Sequence, residues 1–359
     1  MKRQTIKILC VFMAVVMLLS FCPAFGIRAE AYTESDWVLA SQLPSGAEVT
    51  ARKWTYTKTT YKDRPAYRVT AGSLSVTVLP EDGGKLASIR TAGGRELLAE
   101  RRPGEPYRRL TPDGSYIEAE CGGFDDMFPT CDPWTPTDGP FCGITYPDHG
   151  ETCRIPYEAF VDGDTLTLSV HSSLFPIAYR KTLSSVGSAV GVTYTFENEG
   201  EHPFPFLWAG HCMLAGDDEM RLVTSYPADA ETTAMFCTPG YDAAALPKDR
   251  MSGFQPETGA AYKYYYLTPS LDGCFGVRYA DGMLSFRVPR WKVPYFGVWI
   301  NNGEFQSIYN MALEAATVPL DAPDCAAKAG YDVPVIPPKG TFTFTLILDW
   351  TARERETFR

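Results

Sequence analysis

Apolar and polar side chains alternate along many short stretches of this sequence, and that period of two constrains the fold more than any other feature. Val190, Val192, Tyr194 and Phe196 fall on one side of such a stretch, and Gly191, Thr193 and Thr195 on the other. The same pattern runs through Leu74, Val76 and Val78, through Leu166, Leu168 and Val170, and from Phe342 through Phe344, Leu346 and Leu348 to Trp350. Successive side chains of a strand point to opposite faces, so each run reads as a strand with one buried face. Turn signals separate the runs: Asp82-Gly83-Gly84, Ala92-Gly93-Gly94, Asp162-Gly163, Asn198-Glu199-Gly200 and Asp281-Gly282. Helical spacing is confined to weak stretches near Ala243 and Pro323, and there is no internal repeat and no Pro/Ser/Gly-rich linker. The expected fold is all-β: one large antiparallel β-sandwich over residues 65–352, with little helix, after an N-terminal extension over residues 32–64.

The beginning of the chain reads as a leader. Lys2, Arg3 and Lys7 precede an apolar run of 14 residues, Ile8 to Phe21, followed by Ala29-Glu30-Ala31. A stable bilayer span needs roughly 20 apolar residues. Residues 1–31 are therefore expected to be a signal peptide cleaved after Ala31, giving a secreted or extracytoplasmic protein without stable membrane insertion. The alternative is a lipid anchor at Cys22, which the bulky Phe21 before it disfavours.

The full chain carries a net charge of −10, and loss of the leader removes more bases than acids. Nucleic acid is excluded as a general partner on that balance. The segment from Arg95 to Arg109, with Arg101, Arg102, Arg108 and Arg109 interleaved with Glu96, Glu100 and Glu105, reads as a solvated loop, the alternative being an anion contact from the substrate side. Eight cysteines follow the leader, and Cys121, Cys131, Cys142 and Cys153 include no Cys-x-x-Cys pair. Neither a zinc site nor a dithiol redox site is indicated, and disulfides and buried free thiols both stay open.

Only four histidines are present. His171 and His202 read as structural or solvated. His149 lies in the polar turn Asp148-His149-Gly150-Glu151, and His211 follows the aromatic run Phe204-Pro205-Phe206-Leu207-Trp208. An imidazole of ordinary pKa about 6.5 beside ring faces suits proton donation to a sugar, although a structural role is equally compatible with the residues alone. Glu314, in Met311-Ala312-Leu313-Glu314-Ala315-Ala316, is a lone carboxylate in a small apolar setting, where burial would raise its pKa and suit it to accept a proton. Asp125 and Asp126, in Gly123-Phe124-Asp125-Asp126-Met127, are either ligands for sugar hydroxyls or turn formers. No metal-ligand spacing, G-x-S-x-G elbow, His-Glu-x-x-His motif or phosphate loop is found.

Taken in order, these segments resemble the aldose 1-epimerase (galactose mutarotase-like) family. The resemblance runs through LPEDGGKLASI from Leu79, GGFDDMFPTCDP from Gly122, DHGE from Asp148, FPFLWAGHCML from Phe204, VPYFGVWINNG from Val293 and NMALEAATVPLD from Asn310. It spans about residues 65–350. The resemblance implies a β-supersandwich and a hexose, or a sugar-terminated glycan, as partner, with neither cofactor nor metal. His211 would be the acid toward the ring oxygen, Glu314 the base toward the C1 hydroxyl, and His149 a further substrate contact. The family's Asn-Arg segment has no counterpart, so Lys263 and Arg290 stand as candidates for a substrate-binding cation, and Trp208 and Trp299 as candidates for cleft walls. Burial is expected to widen the pH range over which His211 and Glu314 are both charged. The rival expectations are a noncatalytic carbohydrate-binding protein and, by analogy of fold, a glycan lyase or hydrolase.

Overall fold

The computed structural model describes residues 54–227, 229–241 and 256–353, with a separate backbone hairpin of Ser20–Cys22 and Ile27–Ala29. Apart from that hairpin, the expected leader, most of the expected extension and the helical stretch near Ala243 lie outside the described residues. Among the described residues no helix is long and apolar enough to cross a membrane.

The alternating runs form two large antiparallel sheets. One has ten strands, ordered from edge to edge Thr232–Cys237, Ala261–Tyr266, Tyr295–Asn302, Tyr309–Ala316, Ala209–Ala215, Gly123–Met127, Lys85–Thr91, Leu74–Leu79, Arg64–Ala71 and Thr55–Tyr61. The other has eight: Arg221–Thr224, Cys274–Tyr279, Gly282–Arg287, Thr341–Ala352, Ala189–Asn198, Ile177–Val186, Thr165–His171 and Glu158–Asp162. The strand Thr55–Tyr61 pairs along its whole length with Arg64–Ala71, so the sandwich begins before the expected boundary at residue 65. Its alternation escapes notice because, at the sheet edge, most of its side chains are exposed. The helical stretch near Pro323 is the single α-helix Pro323–Lys328 among the described residues.

Period two sorts the side chains as expected. Val190, Val192, Tyr194 and Phe196 are completely buried and face Leu348, Leu346, Phe344 and Phe342 on the neighbouring strand. On the opposite face Thr193 and Thr195 hydrogen-bond Thr345 and Thr343, a cross-strand pairing that water can reach. In the ten-stranded sheet Phe124, Cys212, Leu313, Phe296 and Val298 join the same apolar core. Each large apolar side chain withdrawn from water contributes about 1.5–3 kcal/mol, which fixes the parity of these strands. The residues of the other parity, Asp125, His211 and Glu314 among them, are thereby placed together on the outer face.

Candidate functional site

Three central strands bring an imidazole and two carboxylates into one row. In the antiparallel register His211 lies opposite Glu314 on one side and Asp125 on the other. Glu314 also lies opposite Gly297, and a side chain at that position would meet the Tyr265 ring at 2.7 Å. The bare backbone at Gly297 is what lets the Tyr265 hydroxyl reach Glu314.

Glu314 is fully buried and its two oxygens are differently placed. Oε2 is held by the Lys263 ammonium at 2.8 Å and accepts from the Tyr265 hydroxyl at 3.2 Å. Oε1 has no hydrogen-bond partner and lies 3.6 Å from His211 Nε2. One oxygen orients the carboxylate while the other is free to take a proton. Burial raises the Glu314 pKa, with Lys263 opposing. Lys263 also contacts Asp321 at 2.7 Å and donates toward Cys131 Sγ at 3.3 Å. Burial works against its charge, but Asp321, Cys131 and Glu314 outweigh that cost and hold the ammonium well above its ordinary range. Cys131, Glu314 and Asp321 place donor atoms within 4.8 Å of one another, and the ammonium sits against all three.

At the other end His211 is 5% exposed. Its Nδ1 lies 3.4 Å from the Tyr116 hydroxyl, which donates to Asp125 Oδ2 at 2.8 Å. Lys85 also binds Asp125 Oδ2 and donates to the Gly122 carbonyl at 2.7 Å. His149 adopts a left-handed backbone at φ 58° and donates its amide to the Cys131 carbonyl, with Asp148 against its Nδ1 at 2.9 Å. That geometry sets the His149 ring edge-to-face with His211, centroids 5.7 Å apart. Burial, reinforced by neighbouring His149 and by the ammonium groups of Lys263 and Lys85, holds His211 well below its ordinary pKa. The expected widening of the pH window is therefore reversed, because burial favours the neutral form of both members of the pair.

The structure thus brings together His211, Glu314, His149, Asp125 and Lys263, and Trp299 borders them, opposite Lys263 in register and packed on Phe236 and Phe305. Three candidates lie elsewhere. Asp126 has the opposite parity to Asp125 and is buried between the sheets, paired with Lys181 at 2.6 Å. Trp208 is fully buried in the core against Tyr194 and Phe344, so it is not a cleft wall. Arg290 is exposed and donates to the Leu271 carbonyl, away from the cluster. The Arg-rich segment is also not uniformly solvated: Arg101 is 1% exposed and bonds Gln306. The eight cysteines expected after the leader are all free thiols.

Four contributors were not singled out from the sequence. Lys85, Tyr265 and Asp321 share strand parity or motif with residues that were, whereas Tyr116 lies in an irregular loop without any periodic signal.

No sequence-family model matches the chain, and no curated protein does. Solved structures do match. A galactose mutarotase-like protein from Clostridium acetobutylicum superposes with a TM-score of 0.59 at 12% identity, covering 84% of this chain and 100% of its own. One from Lactobacillus casei gives 0.57 at 14% identity, covering 80% and 100%. A candidate aldose 1-epimerase from Klebsiella pneumoniae gives 0.61 at 13% identity, covering 84% and 85%. At such identities the likeness is one of fold, and the fold is galactose mutarotase-like.

Proposed function

We propose that this chain, on its galactose mutarotase-like fold, is an aldose 1-epimerase that interconverts the anomers of a hexose. The observation that carries the reading is the facing pair: the unpartnered Glu314 Oε1, 3.6 Å from His211 Nε2. Opening a cyclic hemiacetal requires a proton to leave the C1 hydroxyl while another reaches the ring oxygen, and those two oxygens share one carbon. Glu314 Oε1 takes the hydroxyl proton, the C1–O1 double bond forms, the bond from C1 to the ring oxygen breaks, and His211 protonates the departing oxygen. After rotation about C1–C2 the steps reverse and close the other anomer. The pair needs one proton in total, and a neutral imidazole facing a protonated carboxyl holds the same number as an imidazolium facing a carboxylate. Burial of both groups therefore does not remove the chemistry. Asp125 and His149 hold the sugar, and Lys263 with Tyr265 fixes the carboxylate. Solution NMR of freshly dissolved α-glucose and α-galactose tests the activity.

Lys263 supplies a directional test. Its positive charge depresses His211 and Glu314 alike. Lys263→Met removes that charge, so protonated forms of both groups gain and both pKa values rise. Both limbs of the pH profile of kcat/KM are expected to move to higher pH. Limbs that stay in place or move to lower pH would show that Lys263 does not act on the pair.

The protein is further proposed to work outside the cytoplasm, on the strength of the basic, apolar and Ala-Glu-Ala segments of its leader. Mass spectrometry of the mature protein is expected to find an N-terminus at residue 32. A diacylglyceryl group on Cys22 would contradict the soluble form.

A further inference from the structure

The catalytic pair proposed above is buried, and Tyr116, which packs beside His211, has the size and the contacts of a sugar ring. His211 and Glu314 are 5% and 0% exposed, so a hexose reaches them only if something moves. Tyr116 packs against the His211 side of the pair, ring centroids 5.9 Å apart: its ring stacks on His149 with centroids 3.9 Å apart and an interplanar angle of 7°, and its hydroxyl joins Asp125 and approaches His211 Nδ1. A pyranose would use the same partners. Its C–H face would lie on the imidazole and a hydroxyl would donate to Asp125.

The segment around Tyr116 is built as a short flap between two anchors. Before it, buried Arg154 donates to the carbonyls of Thr111, Pro112 and Gly114, at 3.3, 3.1 and 2.7 Å. After it, Lys62 pairs with buried Glu120 at 2.8 Å, and the Glu120 amide donates to the Arg108 carbonyl. Between the anchors Ser115, Ile117 and Glu118 are exposed, Ala119 is buried, and Tyr116 is the residue that reaches the site. One polar contact crosses from the neighbouring loop, Gln306 Nε2 to the Ile117 carbonyl at 3.1 Å. Burial, then the charge of Asp125, keeps the phenol neutral, so it remains a donor as a sugar hydroxyl would.

We infer that Tyr116 is an internal stand-in for the sugar, carried on the flap Ser115–Ala119, which must leave before substrate enters. The inference deepens the mutarotase reading by assigning regulation of the same site. Because only the open form binds, the apparent dissociation constant is the intrinsic one divided by the open fraction. Weakening the closed form tightens binding.

The test is sugar affinity, by NMR titration with glucose and galactose, for wild type, Tyr116→Phe, Tyr116→Ala and Gln306→Ala. Tyr116→Ala is expected to bind about tenfold more tightly than wild type, because the competing ring is gone. Tyr116→Phe, which loses the Asp125 bond, and Gln306→Ala, which loses the pin on the flap, should each tighten binding several-fold. Affinity that is unchanged or weaker in all three overturns the flap, even if wild type anomerises sugars. Tighter binding without anomerisation in any of the four proteins keeps the flap and removes the mutarotase reading. Failure of every protein to bind either sugar overturns both.

Discussion

Replacing Glu314 by Gln or His211 by Ala is expected to lower kcat for anomerisation by about 10²–10⁴-fold, the range over which a positioned acid or base contributes. Glutamine keeps the shape of the side chain and an oxygen to accept from Lys263 and Tyr265, which hold Oε2 in the native protein. It removes only the ability of the free oxygen to take a proton. KM should change far less than kcat, because the proposed contacts that hold the sugar, Asp125 and His149, stay in place. Initial polarimetric rates of freshly dissolved α-glucose or α-galactose measure the effect. Wild-type rates in both variants would take the chemistry away from this pair.

The largest effect on stability is expected away from the site. Lys181 and Asp126 are each 1% exposed, and their contact at 2.6 Å joins the two sheets through the core. Lys181→Met leaves a buried carboxylate without its cation, which costs about 3–5 kcal/mol. Typical domains have only about 5–15 kcal/mol in hand. Lys181→Met combined with Asp126→Leu, an apolar pair of similar volume, should recover most of the loss, because desolvation of both charges disappears with them. Urea midpoints of the single and double variants decide the matter. A single variant within about 0.5 kcal/mol of wild type would mean that the pair is dispensable.

The strands were legible because burial of one face imposes period two, and the runs at 190–196 and 342–350 became facing neighbours in the core. The pairing of strands was not. His211 and Glu314 belong to distant segments, and their own periodicity does not say that they lie side by side; the resemblance supplied that pairing. Asp125 and Asp126 show what local pattern does contain. Phe124 and Asp126 share parity, so once Phe124 faces the core Asp126 must follow it inward and Asp125 must face out. Trp208 was ambiguous for a different reason, since aromatic residues build sandwich cores as readily as sugar platforms, and here Tyr194 and Phe344 claim it. Tyr116 had no signal at all, because an irregular loop has no period from which to read a direction. The expected pH window fails because withdrawal from water disfavours the charged form of both groups, and Lys263 and Lys85 press the buried imidazole further toward its neutral form.

On the proposed mechanism His211 and Glu314 exchange protons with one hemiacetal. Magnetisation exchange between the α and β anomeric protons, measured by NMR for glucose and galactose at equilibrium, tests it most directly because it detects ring opening without any net reaction. Exchange faster than in buffer is expected with the wild-type protein, and exchange at the buffer rate with Glu314→Gln. Saturable sugar binding by the wild type with exchange no faster than in buffer would contradict it and leave a carbohydrate-binding protein on a catalytic fold.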